Sequence, residues 1–143
     1  MAIKQLTVFI ENKKGTVVTV TEILAANNIN IRALSIAETQ DFGMLRLIVN
    51  DEMTAEKALA EKGYAFRTID VVGVKINDEP GKLSAALSVL DKADINVEYL
   101  YAFMSSSAEY AYVVLRVEDN EMAEAELTAA GFELVKAEEV GNI

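Results

Sequence analysis

The stretch Asn77–Leu83, NDEPGKL, contains the only proline of the chain, and a glycine follows it. Pro80 lacks an N–H group, so it fits the first turn of a helix, where that donor would be unpaired anyway. Gly81 permits a sharp turn or a close backbone approach. The free N–H groups at a helix N-terminus, together with the helix dipole, can bind a carboxylate or a phosphate. Because Asp78 can accept a hydrogen bond from an ammonium group, this loop suits a zwitterion such as a free amino acid.

The same residues also have a purely structural interpretation. Asp78 or Glu79 could cap the helix that follows, and Pro80 with Gly81 could simply shape the turn. The loop taken alone favours capping over ligand binding.

Composition excludes several chemistries. The chain has a net charge of −10 and contains neither cysteine nor histidine. Thiolate nucleophiles, Cys/His zinc sites and histidine acid–base catalysis are therefore excluded, and no nucleophile–base pair is visible. The charge argues against a nucleic-acid or anionic-membrane partner. We expect no cofactor and no metal, although carboxylates could hold a hard cation. Without a signal peptide or a long apolar run, the sequence predicts a cytoplasmic protein.

The chain repeats itself. Gly15 and Gly81 are 66 residues apart, and at this offset Asn30 matches Asn96 and Leu34 matches Leu100. After the serine run 105–107 the offset becomes 68. At that second offset the matched pairs are Val49 with Val117, Asp51 with Asp119, Gly63 with Gly131, and Gly73 with Gly141. One small insertion in an otherwise ungapped match indicates two copies of one unit, which we place at residues 1–70 and 71–143.

Each copy has the same order of predicted elements. β-Rich runs and helical stripes alternate as β-α-β-β-α-β, with Asp51 and Asp119 as helix N-caps and Gly63 and Gly131 as helix ends. The predicted strands are 4–10, 29–38, 42–50 and 64–70 in the first copy, and 71–76, 95–104, 109–117 and 132–139 in the second. This order predicts an α+β fold of two ferredoxin-like βαββαβ units, each an antiparallel four-stranded sheet with two helices on one face.

The element order, the loop NDEPGKL and the INV run at 95–97 resemble the ACT domain, a small-molecule regulatory module of amino-acid metabolism. The resemblance covers nearly the whole chain as two tandem domains. It is stronger in the second copy, because the first has Lys14 where proline is common and Val17 where leucine is common.

The resemblance implies that an amino acid binds between two ACT units. One unit would supply the loop, and another would supply an asparagine early in the strand after the first helix. Without the resemblance, an asparagine that follows a helix is also an ordinary turn residue. The implied ligand-binding residues are Asn12, Gly15, Asn30, Asp78, Glu79, Pro80, Gly81, Lys82, Leu83 and Asn96. The implied ligand is an aromatic or branched-chain amino acid.

The resemblance favours a non-catalytic regulatory or sensor protein. The alternative is a regulatory subunit of a larger metabolic enzyme, such as an acetolactate-synthase-type or acyl-CoA-ligase partner. A third hypothesis is an RNA-recognition module, with Tyr110 and Tyr112 on the strand that would stack bases. The run 109–117, EYAYVVLRV, lacks the basic and glycine-rich character of that module, and the net charge opposes RNA binding.

The runs 99–104 and 110–115 are apolar on both faces. A sheet covered by helices on one side should alternate apolar and polar residues. The second face is therefore expected to be buried by another chain or by the sister repeat, and the sequence predicts a homodimer.

Overall fold

The computed structural model describes residues 2–143 and divides them into two compact units. The N-terminal unit is Lys4–Ile69, and the C-terminal unit is Asp70–Ile143 together with Ala2 and Ile3. Both units follow the order strand, helix, strand, strand, helix, strand. The predicted α+β fold of two βαββαβ units is confirmed.

The N-terminal unit has an antiparallel sheet in which β3 lies between β1 and β2, and the beginning of β4 lies next to β1. Leu47 of β3 pairs with Leu6 on one side and with Leu34 on the other. The elements are β1 Ile3–Glu11, α1 Thr16–Ala26, β2 Ile31–Glu38, β3 Phe42–Val49, α2 Glu52–Glu61 and β4 Phe66–Asn77.

In the C-terminal unit β6 lies between β4 and β5, and a short β7 pairs with β4 on the other side. The elements after β4 are α3 Lys82–Lys92, β5 Val97–Ala102, β6 Tyr110–Val117, α4 Asn120–Ala129, β7 Glu133–Leu134 and a 3-10 helix Ala137–Asn142. All strand pairs of this unit are antiparallel.

Each unit has its own apolar core between the sheet and its two helices. Alternate residues of a strand point to one face, so every second position meets the helices. In the N-terminal unit Leu6 and Leu47 pack with Leu24 of α1 and Leu59 of α2. In the C-terminal unit the corresponding core is formed by Val74, Leu115, Leu90 and Leu127. Both helices of a unit therefore lie on one face of its sheet.

The predicted helix ends are confirmed in both units. The side chains of Asp51 and Asp119 accept hydrogen bonds from the backbone N–H groups of Thr54 and Met122, which would otherwise be unpaired. The hydrogen bond from the Thr54 hydroxyl, and to a smaller degree the one from the Thr54 backbone N–H, lowers the pKa of Asp51. The stabilisation by this cap is therefore present at neutral pH and is lost as the pH falls through the lowered pKa.

The cap at Asp119 gives a stability prediction. Asp119→Ala removes the acceptor for the Met122 N–H, so we expect the free energy of unfolding to fall by about 1 kcal/mol. Denaturant melts measure this change. Glu126→Ala, an exposed position within the same helix, is the control and should leave the midpoint nearly unchanged. Equal midpoints for Asp119→Ala and the wild type would show that the cap does not stabilise α4.

Two predicted strands are in fact one. The sequence separated 64–70 from 71–76, but β4 runs without interruption through Phe66–Asn77. The reason is that Asp70–Gly73 contains no turn-forming pair, and the backbone can continue in the extended conformation. Val72 and Gly73 already pair with Leu115 and Val114 of β6.

The predicted strand 132–139 is wrong over most of its length. Only Glu133–Leu134 is strand, and its ladder with β4 ends with a hydrogen bond from the Val135 N–H to the Gly73 carbonyl, 2.8 Å. At this point Ile3 and Val135 both pack against Gly73, where a built Cβ would lie 2.6 Å from Ile3 Cδ1 and 2.9 Å from Val135 Cβ. The chain instead forms the 3-10 helix, whose first turn is closed by Glu139 accepting from the Lys136 N–H at 2.9 Å.

Candidate functional site

The loop between β4 and α3 has the conformation that its glycine allows. Gly81 is the N-cap residue of α3, with a left-handed φ of 87° that glycine tolerates readily. The backbone N–H of Asp78 donates to the Glu109 carbonyl at 2.9 Å, and that of Glu79 donates to the Asn77 carbonyl at 2.9 Å. Pro80 precedes the N-cap, so its predicted place in the first helical turn is wrong; the helix begins at Lys82.

The capping interpretation of this loop is not supported. No side chain caps α3, and the carboxylates of Asp78 and Glu79 make no hydrogen bond within residues 2–143. The backbone N–H groups of Leu83 and Ser84 likewise find no acceptor in that range. The loop therefore places an exposed carboxylate beside unpaired donors at the positive end of a helix, which are the groups that a zwitterion needs.

The corresponding loop of the N-terminal unit has the same backbone but different side-chain contacts. Gly15 is the N-cap of α1 with φ 93°. The Asn12 side-chain amide donates to the Thr39 carbonyl at 2.9 Å, and its backbone N–H donates to the Asp41 carbonyl at 2.9 Å. Asn12 is therefore hydrogen-bonded to the tip of the β2–β3 hairpin, whereas the Asp78 side chain makes no hydrogen bond within residues 2–143.

Lysines further distinguish the first loop. Lys13 forms an exposed ion pair with Glu11, with the two charged atoms 3.1 Å apart. The Thr16 hydroxyl donates to the carbonyls of Glu11 and Lys13 at 2.9 and 3.0 Å. These contacts join residues of the first loop to one another.

The two predicted asparagines, Asn30 and Asn96, are exposed and lie beyond the opposite ends of the helices from their own loops. Helix α3 has 11 residues, which corresponds to a length of roughly 16 Å. Asp78 lies beside Glu109 before β6, whereas the residue after Asn96 pairs with Val117 at the far end of β6. A unit therefore does not bring its own loop and its own asparagine together at one ligand.

Asn96 lines two depressions of the C-terminal unit. One, of about 440 Å³, lies between α3 and β5 and has apolar walls from Leu87, Ile95, Val97 and Leu100, with Asp91 and Asp94 at its rim. The other, of about 1000 Å³, has five carboxylates among its ten lining residues and contains Arg116, whose Nε lies 3.6 Å from Glu98. The sequence did not predict Leu87 and Leu100 as site residues. Leu87 belongs to the apolar helical stripe of the second copy, and Leu100 matches Leu34 in the repeat.

Metal-binding clusters and membrane-spanning helices were also sought in the part of the chain that the structure describes. Within it, no group of three or more acidic side chains is placed to hold a metal ion. No helix between residues 2 and 143 is both long and apolar enough to cross a membrane.

Comparisons with known proteins agree with this architecture. A family model described as an ACT domain pair matches residues 1–143. A solved structure, protein BT0572 from Bacteroides thetaiotaomicron, is 38% identical, with a TM-score of 0.93 over 100% of this chain and 98% of that one. The search of curated proteins found no match.

More distant structures share the fold. The ligand-free regulatory subunit of aspartate kinase from Thermus thermophilus has a TM-score of 0.68 at 17% identity, covering 92% of this chain and 94% of that one. The regulatory subunit from Thermus flavus has a TM-score of 0.62 at 18% identity, covering 91% and 93%. Because the family model spans the whole chain, this protein belongs to the family of ACT domain pairs.

Proposed function

We propose that this protein is a non-catalytic, amino-acid-binding regulator of amino-acid metabolism. The observation that carries the proposal is the loop Asp78–Leu83, where an unengaged carboxylate stands beside unpaired backbone N–H groups at the start of α3. The ammonium of the ligand binds Asp78, and its carboxylate binds the N–H groups of Leu83 and Ser84.

The preferred ligand has an apolar side chain. The 440 Å³ depression beside Asn96 has four apolar side chains in its walls, which supports an aromatic or branched-chain amino acid at the site that Asn96 completes. A thermal-shift screen of the twenty amino acids tests the proposal. Ligand at about 100 times its Kd should stabilise the protein by about 2.7 kcal/mol. If none of the twenty amino acids raises the melting temperature, the protein does not act as an amino-acid sensor.

A second candidate function is that of a regulatory subunit that binds a metabolic enzyme. Its support is the shared fold with the regulatory subunits of aspartate kinase, at 17–18% identity. Co-purification from cell extract, followed by assay of any captured enzyme with and without the amino acid found in the screen, distinguishes the two. A change in that enzyme's rate favours the subunit; ligand binding without a captured enzyme favours the stand-alone regulator.

The proposal includes a pairing of residues from different units. Because each loop is separated from its own asparagine by a helix, we propose that Asn30 completes the Asp78 loop and Asn96 completes the Asn12 loop. Asp78 carries a full charge and is not engaged, whereas Asn12 already donates to Thr39. The site that contains Asp78 and Asn30 is therefore the tighter of the two.

Double-mutant cycles test this pairing. The losses of binding free energy in Asp78→Ala and Asn30→Ala should be strongly non-additive, because both changes disable one site. The losses of binding free energy in Asp78→Ala and Asn96→Ala should be nearly additive. Calorimetric titration of the four single and double variants measures both couplings. Coupling of Asp78 to Asn96 would instead place the ligand between two chains, or within one unit, against the separation of the two residues by α3.

We also propose a homodimer, on different grounds from the sequence argument. Tyr101 and Phe103 on the second face of the C-terminal sheet are only 9% and 6% exposed within a single chain, so their burial requires no second chain. The remaining support comes from the exposed apolar side chains of the edge strands β2 and β5. These are Leu34, Ile36 and Leu100, which are 38%, 43% and 39% exposed.

Light scattering tests the dimer. At tens of micromolar we expect twice the mass of one chain, because exposed apolar edges favour association. Leu34→Lys and Leu100→Lys should lower the measured mass if these edges form the interface. A wild-type protein with the mass of one chain at this concentration contradicts the proposal.

A further inference from the structure

A small recess of the C-terminal unit includes Asn77 and Lys82 of the loop NDEPGKL and shares no residue with the two depressions that Asn96 lines. Its volume is about 260 Å³. It lies between the end of β4, the first turn of α3 and the approach to β7. The side chains that give it its character are Lys75, Lys82, Tyr110 and Phe132, with Ile76 and Ala85 as apolar floor.

The recess is cationic although the chain as a whole carries a charge of −10. The Lys75 ammonium lies 4.1 Å from the centre of the Tyr110 ring and 3.3 Å from Glu133 Oε2. The hydrogen bond to Glu133 raises the pKa of Lys75, so the ammonium is charged at neutral pH. The Lys82 ammonium has no partner within residues 2–143. Two ammonium groups therefore face a single carboxylate.

Another anion can displace the Glu133 carboxylate from Lys75. The Glu133 side chain is 70% exposed, whereas the Lys75 side chain is only 25% exposed and is held over the Tyr110 ring. An exposed ion pair is weak because water screens it and because its flexible side chain loses entropy on pairing. A ligand carboxylate placed between Lys75 and Lys82 meets two cations, and Glu133 can turn into solvent.

The aromatic walls of the recess favour a ligand that contains an aromatic ring. Tyr110 and Phe132 provide aromatic surface on its walls, and aromatic pairs attract one another beyond the area that they bury. Its volume is below the range of roughly 300–1,000 Å³ typical of pockets for drug-sized ligands. A molecule with one ring and one carboxylate matches both the size and the charge.

We propose that this recess is a second ligand site, distinct from the amino-acid site, which binds a small aromatic monocarboxylate. The carboxylate lies between Lys75 and Lys82, and the ring lies against Tyr110 and Phe132. The recess shares Asn77 and Lys82 with the loop NDEPGKL. Occupancy therefore fixes one side of the loop that holds Asp78, and the affinity of the amino-acid site changes with it.

Benzoate is the probe for this site, titrated by heteronuclear NMR at constant ionic strength and without any amino acid. We expect saturable binding in the millimolar range, since few atoms contribute, with shifts confined to the backbone amides around 75–77, 82–85, 110 and 131–133. Benzylamine, which has the same ring and the opposite charge, should not compete. No saturable binding of benzoate at tens of millimolar, or equal binding of benzylamine, overturns the proposal.

Matched variants locate the site. Lys82→Met should weaken benzoate at least tenfold, while Lys92→Met, with the same charge change at the other end of α3, should leave its affinity unchanged. Phe132→Leu, which keeps the position apolar, should weaken benzoate but not inorganic phosphate. Equal losses in Lys82→Met and Lys92→Met would mean that only the net charge of the protein matters, and the proposed site would be rejected. Because benzoate is titrated alone, failure of this site leaves the amino-acid screen unaffected.

Discussion

In Asp78→Ala we expect the affinity for the amino acid found in the screen to fall roughly ten- to a hundredfold, with no measurable change in stability. A lost hydrogen bond to a charged group costs about 1.5–3 kcal/mol, which corresponds to that loss of affinity. Stability should stay within about 0.5 kcal/mol of the wild type, because the Asp78 side chain is exposed and caps no helix. Calorimetric titration and denaturant melts of the same variant measure both quantities.

Two further variants control this experiment. Glu79→Ala removes a neighbouring exposed carboxylate from the same loop, so it should leave the affinity nearly unchanged if Asp78 contacts the ammonium directly. Asp78→Asn keeps a hydrogen-bond acceptor but not the charge, and we expect an intermediate affinity. If Asp78→Ala instead lowers stability and spares the affinity, Asp78 has a structural role and the proposed ligand loop is wrong.

Gly73→Ala is expected to destabilise the protein by about 1–3 kcal/mol, as overpacking of a closely packed site usually does. A Cβ at this position would lie 2.6 Å from Ile3 Cδ1 and 2.9 Å from Val135 Cβ. Ile3 Cδ1 is the end of a flexible side chain and can turn away, but Val135 Cβ moves only with its backbone. That backbone is fixed by the 2.8 Å hydrogen bond between the Val135 N–H and the Gly73 carbonyl itself.

Gly141→Ala is the matched control for this prediction. The repeat pairs Gly141 with Gly73, but a Cβ at Gly141 would have no neighbour within 4 Å, and its φ is not positive. Urea melts of both variants should therefore show a lower midpoint for Gly73→Ala alone. Equal midpoints for Gly73→Ala and the wild type would show that the chain near Val135 moves freely, and that the ladder between β7 and β4 contributes little.

Most of the fold could be predicted because it depends on local signals. The two offsets of the repeat indicated two copies of one unit, and β-rich runs located most of the strands. Asp51 and Asp119 marked helix starts because a side-chain acceptor at the N-cap satisfies a donor three residues away. The glycines at 15, 63, 81 and 131 all adopt positive φ, which depends on their own backbone and immediate neighbours.

The candidate site could be predicted only in part. The sequence located the loops and both asparagines, but the loop taken alone favoured helix capping over ligand binding at Asp78. Choosing between them required knowing that no helical N–H reaches that carboxylate, and that Asn12, its counterpart, is bound to the β2–β3 hairpin. Hydrogen bonds between residues far apart in the chain depend on packing, and a repeat pattern treats the two loops as equivalent.

The sequence alone determined the βαββαβ order of the two copies and the helix starts after Asp51 and Asp119, since these features follow from contacts within a few positions along the chain. Tertiary structure alone decided that β4 continues through Asp70–Gly73 and that the last strand stops after Leu134. Ile3 and Val135 both pack against Gly73, and Glu133 meets Lys75 over the Tyr110 ring. These residues are distant in the sequence, so their contacts form only after the chain has folded.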